Sequence, residues 1–164
     1  MNPAQGGWLI FVSMLLAMVL AVAHLPTFLP TWTGWLRPAW VISVVFFWVI
    51  HSPQRLGLVS VWLLGCALDL LRAEPLGLNG LMLAGVTFVG WQFYERIRMF
   101  STPQRAVVLF LLVLAAELGR AALMTLVADV PWSFGVPAVA LASALCWPLV
   151  YGVMTWVTQA IRVD

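Results

Sequence analysis

The sequence predicts an all-α integral membrane protein, six transmembrane helices forming a single domain over residues 1–164. Three observations predict it. Hydrophobic residues make up 63 % of the 164 and charged residues 9 %, with a mean hydropathy of +1.02; a soluble domain carries about 25 % charged residues. So few charges cannot keep a surface this size in water, and in lipid every backbone polar group must pair within a helix. Five short clusters of proline, glycine and charge also divide the chain into six apolar runs. Finally, the arginines are distributed unevenly between alternate turns.

The first helix is expected from Trp8 to Leu25. It carries no charge, and Ser13, Ala17 and Ala21 recur every fourth residue, giving a small face that another helix can approach closely. Ala21-Val22-Ala23 resembles a cleavage site, but Met1 to Gly7 holds no basic residue, so the segment is expected to stay as a helix. Leu25 to Leu36 contains Pro26, Pro30, Trp32 and Trp35, which suits an interfacial loop. Arg37-Pro38-Ala39-Trp40 opens the second helix, with Pro38 in its first turn, where a missing N–H costs nothing. That helix ends near Ile50. His51 to Arg55 form a turn, and a third helix runs from Leu56 to Leu71. Both are shorter than the roughly 20 residues that span a bilayer. They cross with little tilt or local thinning, or form a re-entrant hairpin.

Asp69, Arg72 and Glu74 close the third helix, and Pro75, Gly77 and Gly80 form a tight turn into the fourth, Leu76 to Tyr94. The fifth runs from Gln104 to Ala128 and the sixth from Val136 to Ile161. Pro148 is expected to kink the sixth and free carbonyls for a pocket. Six crossings put both termini on one side. Arg55, Arg96, Arg98, Arg105 and Arg162 then share the side of the termini, against Arg37 and Arg72 opposite. The positive-inside rule makes the first side cytoplasmic.

Few residues here can carry chemistry. Glu117 and Arg120 lie near the centre of the fifth helix, and a spacing of three puts them on one face. A charge at the bilayer centre costs about 2.5–3.5 kcal/mol, so the two are expected to pair or to face protein. A structural salt bridge and a proton or substrate site both fit. Asp69 and Arg72 are also three apart, and with Arg37 they suggest an ion-pair cluster fixing the outer turns, or a docking point. His24 and His51 fall at opposite faces and cannot share a site. Cys66 and Cys146 sit in apolar runs, as small buried hydrophobes do. No CxxC motif or His/Cys cluster implies a metal, and no cofactor is expected. Nothing suggests a nucleic-acid surface. There is no nucleophile–base pair, Gly-rich phosphate loop or carboxylate dyad, which argues against an enzyme.

Several elements in order resemble the MreD family of rod-shape-determining membrane proteins. They are Arg37-Pro38-Ala39-Trp40, the turn Ile50-His51-Ser52-Pro53-Gln54-Arg55-Leu56-Gly57, Gly65-Cys66-Ala67-Leu68-Asp69-Leu70-Leu71, Glu74-Pro75-Leu76-Gly77, Gln104-Arg105 and Trp147-Pro148. The turn departs from the family pattern: a His-Arg pair is expected directly after the proline, whereas His51 precedes Pro53 and Gln54-Arg55 follows it. The C-terminus is also less basic than that pattern, with only Arg162. The resemblance implies a bacterial inner-membrane subunit of the cell-wall elongation machinery, without enzymatic activity. It implies MreC, RodA with its penicillin-binding transpeptidase and, indirectly, MreB as partners. It also implies a fold similar to the substrate-binding subunits of energy-coupling-factor transporters, and hence a central cavity.

On this reading the chain is a scaffold that binds MreC and modulates the peptidoglycan synthase. The small faces Ser13/Ala17/Ala21, Ala115/Gly119 and Ala138/Ala142 are the expected contacts, together with Arg37, Trp40, Asp69, Arg72, Pro75 and Gly77 at the outer end. Two alternatives carry different chemistry. One is a transporter subunit binding a small molecule near Glu117, Arg120 and Trp147. The other is a lipid-processing enzyme using Asp69.

Overall fold

A computed structural model describes residues 3–23, 37–128 and 135–160. These form six helices and no strand: α1 Pro3–Val22, α2 Trp40–His51, α3 Leu58–Arg72, α4 Leu78–Met99, α5 Thr102–Ala128 and α6 Val136–Ala160, with a single 3-10 turn at Pro53–Arg55. The interfacial loop before Arg37, His24, the Asp129–Trp132 loop and the C-terminal Arg162 lie outside the described residues.

The bundle is built around α2. From Val41 to Ile50 its only polar groups are the Trp48 indole N–H and the Ser43 hydroxyl, which donates back to the Ala39 carbonyl at 3.0 Å. A helix apolar all round has no face to offer water or headgroups, and every residue from Val41 to Ile50 is buried. Helices α1, α4, α5 and α6 all pack against it. Polar ties fix two of them. The Trp48 indole N–H donates to Ser13 Oγ of α1 at 2.8 Å. The Ala39 amide, at the start of α2, donates to the buried Ser143 Oγ of α6 at 2.8 Å. Pro38 therefore stands before the helix, not within its first turn, and Ser143 takes up the amide that opens it. Twelve residues rise about 18 Å, well short of the ~30 Å hydrocarbon core. Helix α2 is enclosed by its own chain.

The other helices form two hairpins, α3 with α4 and α5 with α6. The first is set by a glycine pair. A Cβ at Gly65 would lie 2.3 Å from the Gly80 Cα, so the two backbones are in contact there. Gly80 therefore sits inside α4 as a packing residue, not in the turn. Likewise, a Cβ at Gly90 would meet Val49 of α2 at 2.6 Å.

The small face of α1 is also spent internally. Ala17 is 2 % exposed, Ser13 accepts from Trp48 and Ala21 packs against the core. A partner cannot use this face while α2 lies on it. Gly119 similarly faces Met82 of α4, and Ala142 is buried while Ala115 is exposed. Pro148 lies inside α6, which continues through it, with its side chain exposed.

Helix ends differ modestly from expectation. Helix α1 starts at Pro3 rather than Trp8, and α4 continues past Tyr94 to Met99. Among the described residues two stretches, Thr102–Val127 and Val136–Ala160, are long and apolar enough to cross a membrane. Their outer faces carry Leu126, Leu145 and Trp156, each at least 70 % exposed. Large apolar side chains bared in rows suit a hydrocarbon solvent.

Candidate functional site

The site grows from the α3–α4 turn. Helix α3 ends at Ala73, whose left-handed backbone (φ 53°) returns its N–H to the Asp69 and Leu70 carbonyls. Gly77, at φ +91°, is the residue before α4, and glycine takes that conformation without strain. The two left-handed positions bring the start of α4 over Asp69. This carboxylate is fully buried and accepts three hydrogen bonds: from the Gly77 amide at 2.8 Å, the Asn79 amide at 2.9 Å and the Asn79 Nδ2 at 2.7 Å. It thus caps α4 from another helix, where the unpaired amides and the helix dipole both favour an anion.

Asn79 extends the network. Its Nδ2 also donates to Glu74 Oε2 at 2.7 Å. Glu74 in turn holds Arg120 at 3.1 Å, and Arg120 holds Glu117 at 3.0 Å one turn earlier on α5. The line from Asp69 through Asn79, Glu74 and Arg120 to Glu117 joins α3, the turn, α4 and α5. Every charged member is at least partly buried and paired, the condition under which charges are tolerated away from water.

The Glu117–Arg120 pair is thus present as expected, and its faces turn towards protein. The expected cluster of Asp69 with Arg72 and Arg37 is not. Asp69 spends its oxygens on α4. Arg72, on the last turn of α3, stays exposed, and Arg37 donates to the Ala23 carbonyl at the end of α1. Spacing put Asp69 and Arg72 on one face, but the turn delivered stronger donors to the carboxylate.

All of these charged residues except Asp69 border a cavity of about 370 Å³. It lies between the C-terminal ends of α1 and α3, the middle of α5, and the starts of α2, α4 and α6. Arg37, Arg72, Arg120, Glu74, Glu117 and Asn79 give its polar lining, and Leu20, Leu68, Leu71, Leu83 and Val139 its apolar lining. Trp40, the first residue of α2, also lines it. Trp147 does not line it: that side chain packs edge-on to Phe46 at 5.1 Å, deep in the core. The small-molecule site expected at Glu117, Arg120 and Trp147 therefore keeps its first two members only.

The opposite end is closed differently. Arg105 donates to the carbonyls of Ile97 (3.3 Å) and Arg98 (2.8 Å), which end α4, and lies 5.4 Å over the Tyr151 ring. Phe47 stacks on His51 at 4.0 Å, and the Tyr151 ring meets His51 tilted and Phe47 edge-on. Among the described residues no His, Cys, Asp and Glu group could hold a metal ion.

The family model described as rod shape-determining protein MreD matches residues 3–157. The chain belongs to the MreD family. It is 26 % identical over 129 residues to the rod shape-determining protein MreD of Haemophilus influenzae (strain ATCC 51907 / DSM 11121 / KW20 / Rd), covering 77 % of this chain and 78 % of that one. No solved structure matches it.

Membership gives this MreD chain a role in rod shape determination and makes it a membrane protein; the family is described by cell shape, not by a reaction. The matched span holds every member of the buried network. Sequence reasoning missed three of the contacts that build it: the Asp69 cap on α4, the bridging Asn79 amide, and the pairing of Glu74 with Arg120. Asn79 had a readable signal, because a carboxamide at the head of an apolar helix needs partners. The Glu74–Arg120 contact spans 46 residues and leaves no local pattern.

Proposed function

We propose that this chain is a six-crossing, non-enzymatic subunit of the bacterial inner membrane with both termini in the cytoplasm. It binds MreC and biases the RodA synthase and its penicillin-binding transpeptidase, and through them follows the MreB filaments. The arginine distribution supports the orientation. Arg55, Arg96, Arg98 and Arg105 gather at the end opposite the cavity, the arrangement expected of a cytoplasmic face.

The observation that carries the scaffold reading is the two-sidedness of α1. Its small face is closed on α2, while Trp8, Phe11, Leu15, Leu16 and Val19 stand exposed on the other side. A bare apolar helix face at the edge of a bundle is where a single membrane helix of a partner packs, through van der Waals contact. On this reading the turn tip at Leu76, 69 % exposed, meets the periplasmic part of the same partner.

In-cell crosslinking tests this. Photoreactive residues at Leu16 and Val19 are expected to capture MreC, whereas Val153 on the outer face of α6 captures none. Equal capture from α6, or none from α1, would remove α1 as the meeting surface.

A further inference from the structure

We propose that the cavity bordered by Arg37, Arg72 and Arg120 receives a phosphate-bearing anionic headgroup, with Arg37 and Arg72 as its direct ligands. The charge arrangement is the starting point. Arg120 is engaged by both Glu74 and Glu117, so neither carboxylate is free to hold a cation. Arg37 spends a donor on the Ala23 carbonyl, and Arg72 makes no ion pair among the described residues. The lining holds three guanidiniums and two carboxylates; both carboxylates pair with Arg120 and the buried Asp69 behind them spends its oxygens on α4, so Arg37 and Arg72 are the guanidiniums left without a carboxylate. Planar guanidiniums present paired donors that match phosphate oxygens. The Asn79 side-chain amide, already committed to Asp69 and Glu74, holds Glu74 on its side of the cavity.

The apolar part of the lining decides between sources of phosphate. Leu20 and Leu71 border the cavity and are both about half exposed on the bundle's outer surface. An apolar chain attached to the headgroup can leave the cavity along them into lipid. The volume, about 370 Å³, falls at the small end of ligand sites, roughly 300–1,000 Å³. That holds a headgroup and not a whole lipid. A membrane phospholipid with net negative charge meets all three conditions, while free phosphate uses only the arginines.

The test follows thermal unfolding of the full-length chain in neutral detergent, with phosphatidylglycerol, phosphatidylcholine or inorganic phosphate added. Phosphatidylglycerol is expected to raise the midpoint by about 5–10 °C at roughly a hundred times its Kd, with phosphatidylcholine well below it. Arg72→Gln should lose most of that shift, as should Arg37→Gln measured against its own baseline. Arg96→Gln, at the other end, should keep it. Because Arg72 is exposed and ties no element together, its variant remains informative if the Arg37 variant does not fold. An Arg72-dependent shift with inorganic phosphate alone would retain the phosphate site and make its occupant soluble. A shift that survives Arg72→Gln, or one that Arg96→Gln removes equally, would overturn the proposal, as would no shift at all.

Discussion

Asp69 shows how one side chain can determine a connection. Its carboxylate takes up two amides at the start of α4 and the Asn79 side chain, and hydrogen bonds to a charged group contribute about 1.5–3 kcal/mol each. Asp69→Ala leaves those donors buried and unpaired. It is expected to lower unfolding stability in detergent by about 3–5 kcal/mol, the range for breaking a buried charged network. Asp69→Asn keeps one accepting oxygen and is expected to lose about half as much. Equal stability of all three proteins would show that the cap is unimportant. The sequence made Asp69 conspicuous as a charge near a turn, but i,i+3 spacing suggests Arg72 as its partner. The actual partners sit eight and ten residues later. They reach it only through left-handed backbone at Ala73 and Gly77, which leaves no periodic mark. The Glu117–Arg120 pair was readable because both ends lie on one helix turn. Glu74 was not, since its contact with Arg120 depends on how two hairpins meet.

At the level of elements, glycine spacing sets the α3–α4 hairpin. A methyl at Gly65 would strike the Gly80 backbone, which cannot rotate away, so Gly65→Ala is expected to cost at least about 1–3 kcal/mol, the range for overpacking. Gly85, on the same hairpin, would place a methyl with nothing within 4 Å of it; Gly85→Ala should be neutral or stabilise by up to about 1 kcal/mol through helix propensity. Comparing the two thermal midpoints separates packing from propensity, and equal shifts would contradict the close approach. The existence and order of all six helices were legible, because apolar runs and proline–glycine punctuation act locally. Which faces pack was less so. The Ser13/Ala17/Ala21 stripe correctly marks a close approach, yet a stripe does not say whether the neighbour belongs to the same chain. The enclosure of α2 was hidden for a related reason: an apolar segment reads alike whether lipid or protein surrounds it, and only its uniform hydrophobicity, with no polar face at all, hinted at burial within the bundle.

For the molecule as a whole, the two ends differ in kind. One gathers arginines at α-helix ends and closes over an aromatic stack. The other holds the charged cavity beneath the α3–α4 turn. If the chain crosses the bilayer six times, these ends face different compartments, and the function proposed for each depends on which is which. Impermeant thiol labelling answers this directly, in intact cells, on a background with Cys66 and Cys146 replaced by alanine. Leu76→Cys, at the turn tip by the cavity, is expected to label from outside, and Arg98→Cys only after the membrane is permeabilised. Labelling of Arg98→Cys in intact cells, with Leu76→Cys protected, would contradict the orientation and the outward placement of the cavity together.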